Sequence, residues 1–339
     1  MNPEFQLNFL NKIQRLFSQG DFTATYKFAL LISIADIAVE IGDDNDECLS
    51  IKFELLGQKF IELYWQQAVP FVNDQILWQN NSRQARIITL IKNFKAKNNI
   101  RTINQAKILQ QYSTLLRDVT NVVKKNPIKY IQNIEGSVDH FLFEEDENAI
   151  ILKSGISFCF RRFQSLIQNI SQNRWIDQIK RYSENSKILG NESDLKAFLF
   201  DTSRQSLLTI RDGLLKISDR CFYCNSIVND FDVDHFIPHS LFHRNLIENF
   251  VVSCPRCNRS KSDTLAAKVH LSNWREFSNK HKKEIAKIGN DAGILSDNLS
   301  MHSIVRWSYN NAISSGSKGW LRAKQYELID ESYKILLKI

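Results

Sequence analysis

Two pairs of cysteines with the spacing Cys-x2-Cys constrain this chain more than any other sequence feature. Cys221 and Cys224 form the first pair, Cys254 and Cys257 form the second, and 29 residues separate the pairs. A Cys-x2-Cys turn directs two sulfur atoms to one side of a metal ion, and a second such turn completes a tetrahedral site. The spacing therefore predicts one structural zinc ion (Zn²⁺) that ties together both ends of the intervening segment.

Disulfide bonds or buried thiols are the alternative use of these four cysteines. The other two cysteines, Cys48 and Cys159, stand alone, and no signal-peptide pattern precedes them. The sequence thus gives no support for an oxidising compartment. We expect a cytoplasmic protein whose four clustered thiolates hold zinc.

Acidic residues and a predicted hairpin lie between the cysteine pairs. Asp232 and Asp234 alternate with apolar residues in a short β-prone run, so the two carboxylates share one face of a strand. A second apolar run, at 250–252, leads to Cys254, and Pro255 suits the first turn of a helix. The predicted order is strand, long loop, strand and helix.

This segment resembles the ββα-metal core of HNH endonucleases. In its details it is similar to the HNH domain of RNA-guided CRISPR effector nucleases, and it is an H-N-N variant because the last histidine of the motif is replaced by asparagine. The resemblance covers residues 221–264, in a chain with the general look of a stand-alone bacterial HNH endonuclease. The matching residues are Asp232-Val233-Asp234-His235 with Pro238 and Ser240, then Ile247-Glu248-Asn249, then Asn258-Arg259-Ser260-Lys261-Ser262-Asp263.

Hydrolysis of a phosphodiester bond needs an activated water and a cation, and three of these residues are expected to supply them. His235 is the expected general base, because the pKa of an imidazole lies closest to working pH. Asp234 and Asn258 are expected to hold one divalent cation, Mg²⁺ or Mn²⁺, through hard oxygen atoms. Few protein ligands would leave coordination positions open for phosphate and water.

Other residues of the segment are expected to support this chemistry. The resemblance implies that Asn249 orients the loop and fixes His235. Lys261 and Arg259 lie on the helix side and are expected to bind phosphate oxygens. Asp232 is expected to support Asp234 or Lys261 without binding the cation itself. We expect two further loop histidines to be exposed to solvent, namely His239 and His243.

Positive charge is concentrated after the second cysteine pair. Between Arg256 and Lys283 there are eight lysine and arginine residues against two acidic ones. The whole chain has a formal net charge of +7, which by itself favours a polyanionic partner only weakly. We therefore expect nucleic acid, and DNA in particular, to bind beside the cysteine pairs. The expected contact residues are Arg256, Arg259, Lys268, Arg275 and Lys280.

The rest of the chain predicts a mainly α-helical protein around this small ββα-metal (HNH) core. With 339 residues, of which 43% are hydrophobic, the chain is long enough for one large or two ordinary domains with buried cores. The polar segment 185–193 separates a mostly helical region, 1–190, from an HNH nuclease domain, 191–339, with its core at 219–264. A β-hairpin is expected at about 137–153. Helices are expected at about 4–19, 25–41, 51–68, 83–97, 103–124, 156–183, 204–217, 266–288, 303–312 and 321–337.

A membrane span and a purely binding function are the alternatives that the sequence leaves to weigh. The longest apolar run, residues 28–35, is far shorter than the roughly 20 residues of a membrane span, so we expect no membrane association. A non-catalytic zinc ribbon would bind nucleic acid without Asp234, His235 and Asn258, which favours a nuclease. The N-terminal region is a candidate for binding a protein partner or a regulatory ligand. The resemblance suggests a role in bacterial defence or restriction.

Overall fold

Helices and short strands alternate through the N-terminal part of the computed structural model, which describes residues 2–72, 74–189, 194–227 and 229–337. A π-helical turn, Lys124–Ile128, joins two of these helices. The helices are Pro3–Gln19 (α1), Tyr26–Ile41 (α2), Phe53–Trp65 (α3), Arg86–Asn98 (α4), Ile103–Lys107 (α5), Tyr112–Val123 (α6), Lys129–Ile131 (α7), Ile156–Arg162 (α8), Gln164–Arg181 (α9) and Ser186–Leu189 (α10). The strands are Leu49–Lys52 (β1), Asn133–Ile134 (β2), Ser137–Val138 (β3), Phe143–Glu145 (β4) and Ala149–Leu152 (β5).

The C-terminal part holds the predicted hairpin and further helices. A 3₁₀ turn, Ile247–Asn249, precedes the second strand of that hairpin. The helices are Leu195–Phe200 (α11), Arg204–Ile217 (α12), Pro255–Lys261 (α13), Lys268–Lys280 (α14), Lys282–Ala292 (α15), Asn298–Ser314 (α16) and Lys334–Leu337 (α17). The strands are Asp232–His235 (β6), Phe250–Ser253 (β7), Lys318–Arg322 (β8) and Gln325–Leu328 (β9).

The chain divides into two units. The first comprises Met1–Arg101 and Ala106–Asp201, and the second comprises Thr102–Gln105 and Thr202–Ile339. The domain boundary expected between residues 190 and 191 stays a prediction, because residues 190–193 lie outside the described part of the chain.

Helix α2 forms the centre of the first unit. All its residues from Tyr26 to Glu40 are buried, as expected for a helix that is apolar nearly all round. Its buried Glu40 is paired with the ammonium group of Lys59 at 2.6 Å. Arg161 donates hydrogen bonds to the carbonyls of Ala38, Val39 and Gly42, so a buried guanidinium satisfies the open C-terminal end of the helix.

The predicted β-hairpin of the first unit is paired differently from the expectation. Strand β5 pairs with β4 on one side and with β1 on the other, in an antiparallel sheet of order β1-β5-β4. Residues Ser137–Val138 pair instead with Asn133–Ile134. The side chain of Gln132 accepts the backbone N–H of Leu142 at 2.9 Å, so a side chain replaces a strand partner just before β4.

In the second unit, the hairpin of β6 and β7 packs against α12 and α15. Apolar side chains of both helices and of β7 form one buried cluster, which includes Ile210, Leu214, Phe250 and Ile288. A Cβ atom at Gly213 would lie 2.7 Å from the side chain of Ile288, so glycine is needed where α12 approaches α15. This packing holds the back of the hairpin rigidly and leaves its other face for the polar residues.

The predicted helix at 321–337 is wrong over most of its length. Residues Lys318–Leu328 form the hairpin β8–β9, and only Lys334–Leu337 is α-helical. Trp320 is fully buried and its backbone pairs with Leu265 and Ala267, which holds β8 in an extended conformation. Three predicted helices are interrupted, at residues 108–111, Phe163 and His281.

The predicted fold class is confirmed: the protein is mainly helical, with small antiparallel sheets, and the predicted strand, strand and helix of the core lie in its C-terminal part. Among the described residues, no helix is both long and apolar enough to cross a membrane.

Candidate metal centre and nuclease site

The four clustered cysteines converge on one point. The sulfur atoms of Cys221, Cys224, Cys254 and Cys257 all lie within 4.8 Å of one another. The backbone N–H of Phe222 donates to the carbonyl of Val252 at 2.9 Å, which ties the first cysteine turn to β7. Strand β7 leads directly into Cys254, so backbone pairing brings the two distant cysteine pairs together.

This cluster fits a structural zinc ion. Zinc at about 2.3 Å from each thiolate separates the sulfur atoms of a tetrahedral site by about 3.8 Å. The sulfur atoms of Cys224 and Cys254 are 3.9 Å apart. All four cysteines are free thiols, and each pair belongs to a short turn of the kind that structural zinc sites use. The donor set is soft and closed, which suits zinc better than a hard cation such as Mg²⁺.

The pairing of β6 with β7 fixes the direction of the acidic side chains. Asp232 lies opposite Ser253, and Asp234 lies opposite Val251. Because side chains alternate along a strand, Asp232 and Asp234 share a face, whereas Val233 joins the apolar cluster behind the hairpin. The predicted strand, loop, strand and helix therefore occur in the predicted order.

Asp234 is held by two buried partners. One of its carboxylate oxygens accepts from the hydroxyl of Tyr223 at 2.6 Å and lies 3.0 Å from the ammonium of Lys261. Lys261 also donates to the carbonyl of His235 at 2.9 Å. Burial raises the pKa of Asp234, and the positive charge of Lys261 opposes that rise.

The structure places Lys261 elsewhere than the sequence suggests. Its side chain is fully buried, and its ammonium is engaged by Asp234 and by the His235 carbonyl. An ammonium enclosed in this way does not extend to a phosphate on the surface. Lys261 therefore acts on the orientation of Asp234 and of the end of β6.

Replacing Lys261 with methionine should destabilise the protein by about 3–5 kcal/mol, because it leaves the carboxylate of Asp234 buried without its cation. The midpoint of urea unfolding measures this loss. In the double variant Lys261→Met with Asp234→Asn, the neutral amide needs no counter-charge, so a large part of the stability should return. Equal midpoints for the wild type and the single variant would contradict the role of this ion pair.

His235 ends β6 with one ring nitrogen oriented by a neighbour. Its Nε2 lies 2.9 Å from the side-chain oxygen of Asn245, which can only accept, so Nε2 carries the proton and Nδ1 has the lone pair. No residue that the structure describes makes a hydrogen bond to Nδ1. Burial lowers the pKa of His235 to about 4, so the ring is neutral near pH 7 and is a weaker base than an ordinary imidazole.

Asn249 fixes the chain immediately after His235. Its side-chain oxygen accepts from the backbone N–H of Ile237 at 2.7 Å, and its side-chain nitrogen donates to the carbonyl of the same residue at 2.9 Å. The Asn249 carbonyl also accepts from the N–H of Phe236 at 2.7 Å. This buried amide thus holds the two residues that follow His235.

Asn258 lies on the first turns of α13 and contacts Asp232 rather than Asp234. Its amide nitrogen donates to the Asp232 carboxylate at 3.0 Å. Since a carboxylate accepts hydrogen bonds only, the amide oxygen of Asn258 is turned to the opposite side. Asp232 therefore orients Asn258, whereas the sequence suggested that it supports Asp234 or Lys261.

These oxygen atoms fit a hard divalent cation. Carboxylate and amide oxygens are the ligands that Mg²⁺ and Mn²⁺ take in proteins, and the outer partners of such ligands commonly fix their orientation. Here Tyr223 and Lys261 hold Asp234, and Asp232 holds Asn258.

The loop histidines are less exposed than expected. His239 and His243 are both half-buried. The rings of His235 and His239 are 5.3 Å apart, and those of His239 and His243 are 5.0 Å apart. The loop therefore packs a row of imidazoles beside the expected general base.

The basic residues after the cysteines fall into two groups. Arg256, Arg259 and Lys280 are exposed. Lys268 and Arg275 are half-buried, and the guanidinium of Arg275 donates to the backbone carbonyl of Leu336 at 3.0 Å. The ammonium of Lys268 lies over the ring of Tyr333. Among the described residues, the side chains of the three exposed cations make no such contact with the C-terminal segment.

Sequence reasoning missed two residues that contact the site. Tyr223 bonds to Asp234 and Asn245 bonds to His235. Tyr223 lies between Cys221 and Cys224, and this turn is tied to the hairpin that carries Asp234. The position of Tyr223 could therefore have predicted a contact with the site. Asn245 lies in the long loop, where spacing carries no information on direction.

Residues 221–264, the segment bounded by the cysteine pairs, match the family model for HNH endonuclease. This domain indicates a nuclease or a nucleic-acid-binding function. Residues 6–199 match a second family model, described as a domain of unknown function (DUF8808). That match covers more than half of the 339 residues, so the chain belongs to the DUF8808 family. Neither curated proteins nor solved structures match the chain significantly.

Proposed function

We propose that this protein is a metal-dependent HNH endonuclease that hydrolyses phosphodiester bonds in DNA. The observation that carries the proposal is the match of residues 221–264 to the HNH family, together with the four cysteines that converge at the ends of this segment. The same segment carries His235, Asp234 and Asn258. A ribbon that only binds nucleic acid would not need an oriented imidazole next to oxygen ligands. We further propose that the core is an H-N-N variant similar to the HNH domain of RNA-guided CRISPR effector nucleases.

In this proposal His235 removes the proton of the attacking water. Its Nδ1 is the atom that accepts the proton, because the N–H at Nε2 donates a hydrogen bond to the side-chain oxygen of Asn245. Asn249 holds the chain next to the imidazole, and Lys261 holds the carbonyl of His235. The base is thus fixed both by its ring and by its backbone.

Asp234 and Asn258 are the proposed ligands of one cation, Mg²⁺ or Mn²⁺. When bound, such a cation neutralises charge on the phosphoryl oxygens and stabilises the leaving oxygen. Asp232 accepts from the amide nitrogen of Asn258, which leaves the amide oxygen available as a ligand. Zinc at the cysteines has a structural role that is separate from this chemistry.

We propose the unit that contains the HNH segment as the nuclease domain and the DUF8808 region as a binding domain for a partner or ligand. A setting in bacterial defence or restriction, within the cytoplasm, is part of the same proposal. The family match at residues 221–264 supports the nuclease domain, and the setting rests on the resemblance.

Cleavage assays with purified protein test the proposed activity. Supercoiled plasmid, linear duplex, single-stranded DNA and RNA would each be incubated with the protein in added Mg²⁺ and in EDTA. We expect nicked or linear plasmid in Mg²⁺ and none in EDTA. Tight binding without any cleavage of these substrates would favour the non-catalytic zinc ribbon instead.

The exposed basic residues should contribute to nucleic-acid binding without sequence preference. Changing Arg256, Arg259 and Lys280 to glutamine should weaken binding of different DNA sequences alike. The negative slope of log K against log salt should become shallower by up to about 0.9 per lost phosphate contact. Arg275→Gln is the matched comparison, since that guanidinium is already engaged by Leu336. An unchanged slope in the triple variant would place the DNA elsewhere.

A further inference from the structure

A cavity of about 740 Å³ lies within the first unit, and none of its lining residues has a role in the proposed nuclease. The first turns of α2 and α4 contribute to its lining through Tyr26, Lys27 and Arg86. The N-cap residue of neither helix makes a side-chain hydrogen bond to the first turn of its helix, although the hydroxyl of Tyr26 accepts from the backbone N–H of Ile87 in the first turn of α4 at 3.3 Å. Uncapped N-termini carry partial positive charge and open backbone N–H groups, which favour anions.

The charged side chains of the cavity are mostly cationic. Lys27, Arg83 and Arg86 line it, against the single carboxylate of Asp21. Among the described residues, none of the three cations forms an ion pair or a side-chain hydrogen bond. The lining therefore has an excess of positive charge, which Asp21 offsets only in part.

Lys27 is the most telling of these cations. It is 8% exposed, yet its ammonium makes no hydrogen bond within the described chain and lies 5.4 Å from the centre of the Phe22 ring. Burial lowers the pKa of Lys27, with Asp21 opposing the effect. A buried ammonium without a partner is costly to stability, so its position at a cavity wall calls for an anion.

The other walls suit a ligand larger than an inorganic ion. Leu90, Val122 and Pro127 provide apolar surface, and the exposed ring of Tyr130 provides a stacking surface at the edge. Asn126 and Pro127 belong to the π-helical turn Lys124–Ile128, an element that is rare in proteins and often found at functional sites. The volume is in the range of small-molecule sites and far exceeds that of one phosphate.

We infer that this cavity binds a phosphorylated small molecule of nucleotide size, whose phosphate is held by Lys27, Arg83 and Arg86. The apolar walls and Tyr130 then contact the organic part of the ligand. The inference is independent of the nuclease activity, because every residue that it uses lies in the first unit.

Isothermal titration of the full chain with pyrophosphate and with ATP, without added divalent cation, tests this inference. We expect both probes to bind the wild type, and ATP to bind more tightly than pyrophosphate because of its organic part. Lys27→Met and Arg83→Gln should each weaken binding by tenfold or more. Lys97→Gln is the matched control, since Lys97 is exposed in the last turn of α4 and does not line the cavity.

Thermal unfolding without ligand separates loss of the site from loss of the fold. Lys27→Met should melt at or above the wild-type temperature, because it removes a buried charge that lacks a partner. Failure of both probes to bind at millimolar concentration would overturn the inference. So would equal binding by the wild type and Lys27→Met, or a site that takes a single-stranded oligonucleotide but neither ATP nor pyrophosphate.

Discussion

Replacing His235 with alanine should reduce the rate of DNA cleavage by about 10²–10⁴-fold or abolish it, because general base catalysis contributes that much to a hydrolysis. Binding of DNA and of Mg²⁺ should remain close to the wild-type level, since the imidazole accepts a proton and is not a proposed ligand. Initial rates of plasmid nicking, together with DNA affinity measured separately, check the two expectations.

His281→Ala provides the matched control for that experiment. His281 belongs to the same unit and lies between α14 and α15, where its ring nitrogen is 3.8 Å from the carboxylate of Glu284. Loss of this histidine should leave cleavage intact. If His281→Ala and His235→Ala lost activity to the same degree, the effect would belong to the fold and not to a base at position 235.

Replacing Cys254 with serine should remove zinc and the fold of the HNH segment together. Structural zinc supplies about 10–16 kcal/mol of apparent binding free energy in zinc-finger peptides. The total stability of a domain is about 5–15 kcal/mol, so the segment cannot absorb the loss of this ligand. The zinc content, measured by metal analysis, should fall from one ion per chain to near zero. The melting transition of the second unit should shift to lower temperature or broaden.

Cys48→Ser is the control for the chemistry of the substitution, because Cys48 is an exposed thiol outside the cluster. That variant should keep its zinc and its melting curve. Retention of full zinc and of a normal melting curve by Cys254→Ser would contradict a four-cysteine site.

Local spacing made much of the HNH segment predictable. The Cys-x2-Cys turns fix where sulfur atoms point, and strand alternation fixes a common face for Asp232 and Asp234. Pro255 begins α13 as expected, which carries Asn258 back over that face. These features depend on residues that are close in sequence, so the residue types and their spacing along the chain determine them.

Contacts between distant residues were not predictable in the same way. The spacing of Lys261 along α13 places it near the site, but whether its ammonium faces phosphate or the interior depends on Tyr223 and Asp234. Likewise, Trp320 is extended because its backbone pairs with Leu265 and Ala267, which overrides the helical period of residues 321–337. Tertiary pairing therefore decides both cases, and the sequence pattern does not encode it locally.

A metal titration of cleavage by the His235→Ala and Asn258→Ala variants tests the central claim most directly. Asn258→Ala should weaken binding of the cation. Raising the Mg²⁺ concentration, or supplying Mn²⁺, which binds such ligands more tightly, should therefore restore part of the cleavage rate of this variant. His235→Ala should stay inactive at every metal concentration, because excess cation does not replace a proton acceptor. Rescue of His235→Ala by excess metal, with no rescue of Asn258→Ala, would contradict the proposed division of roles.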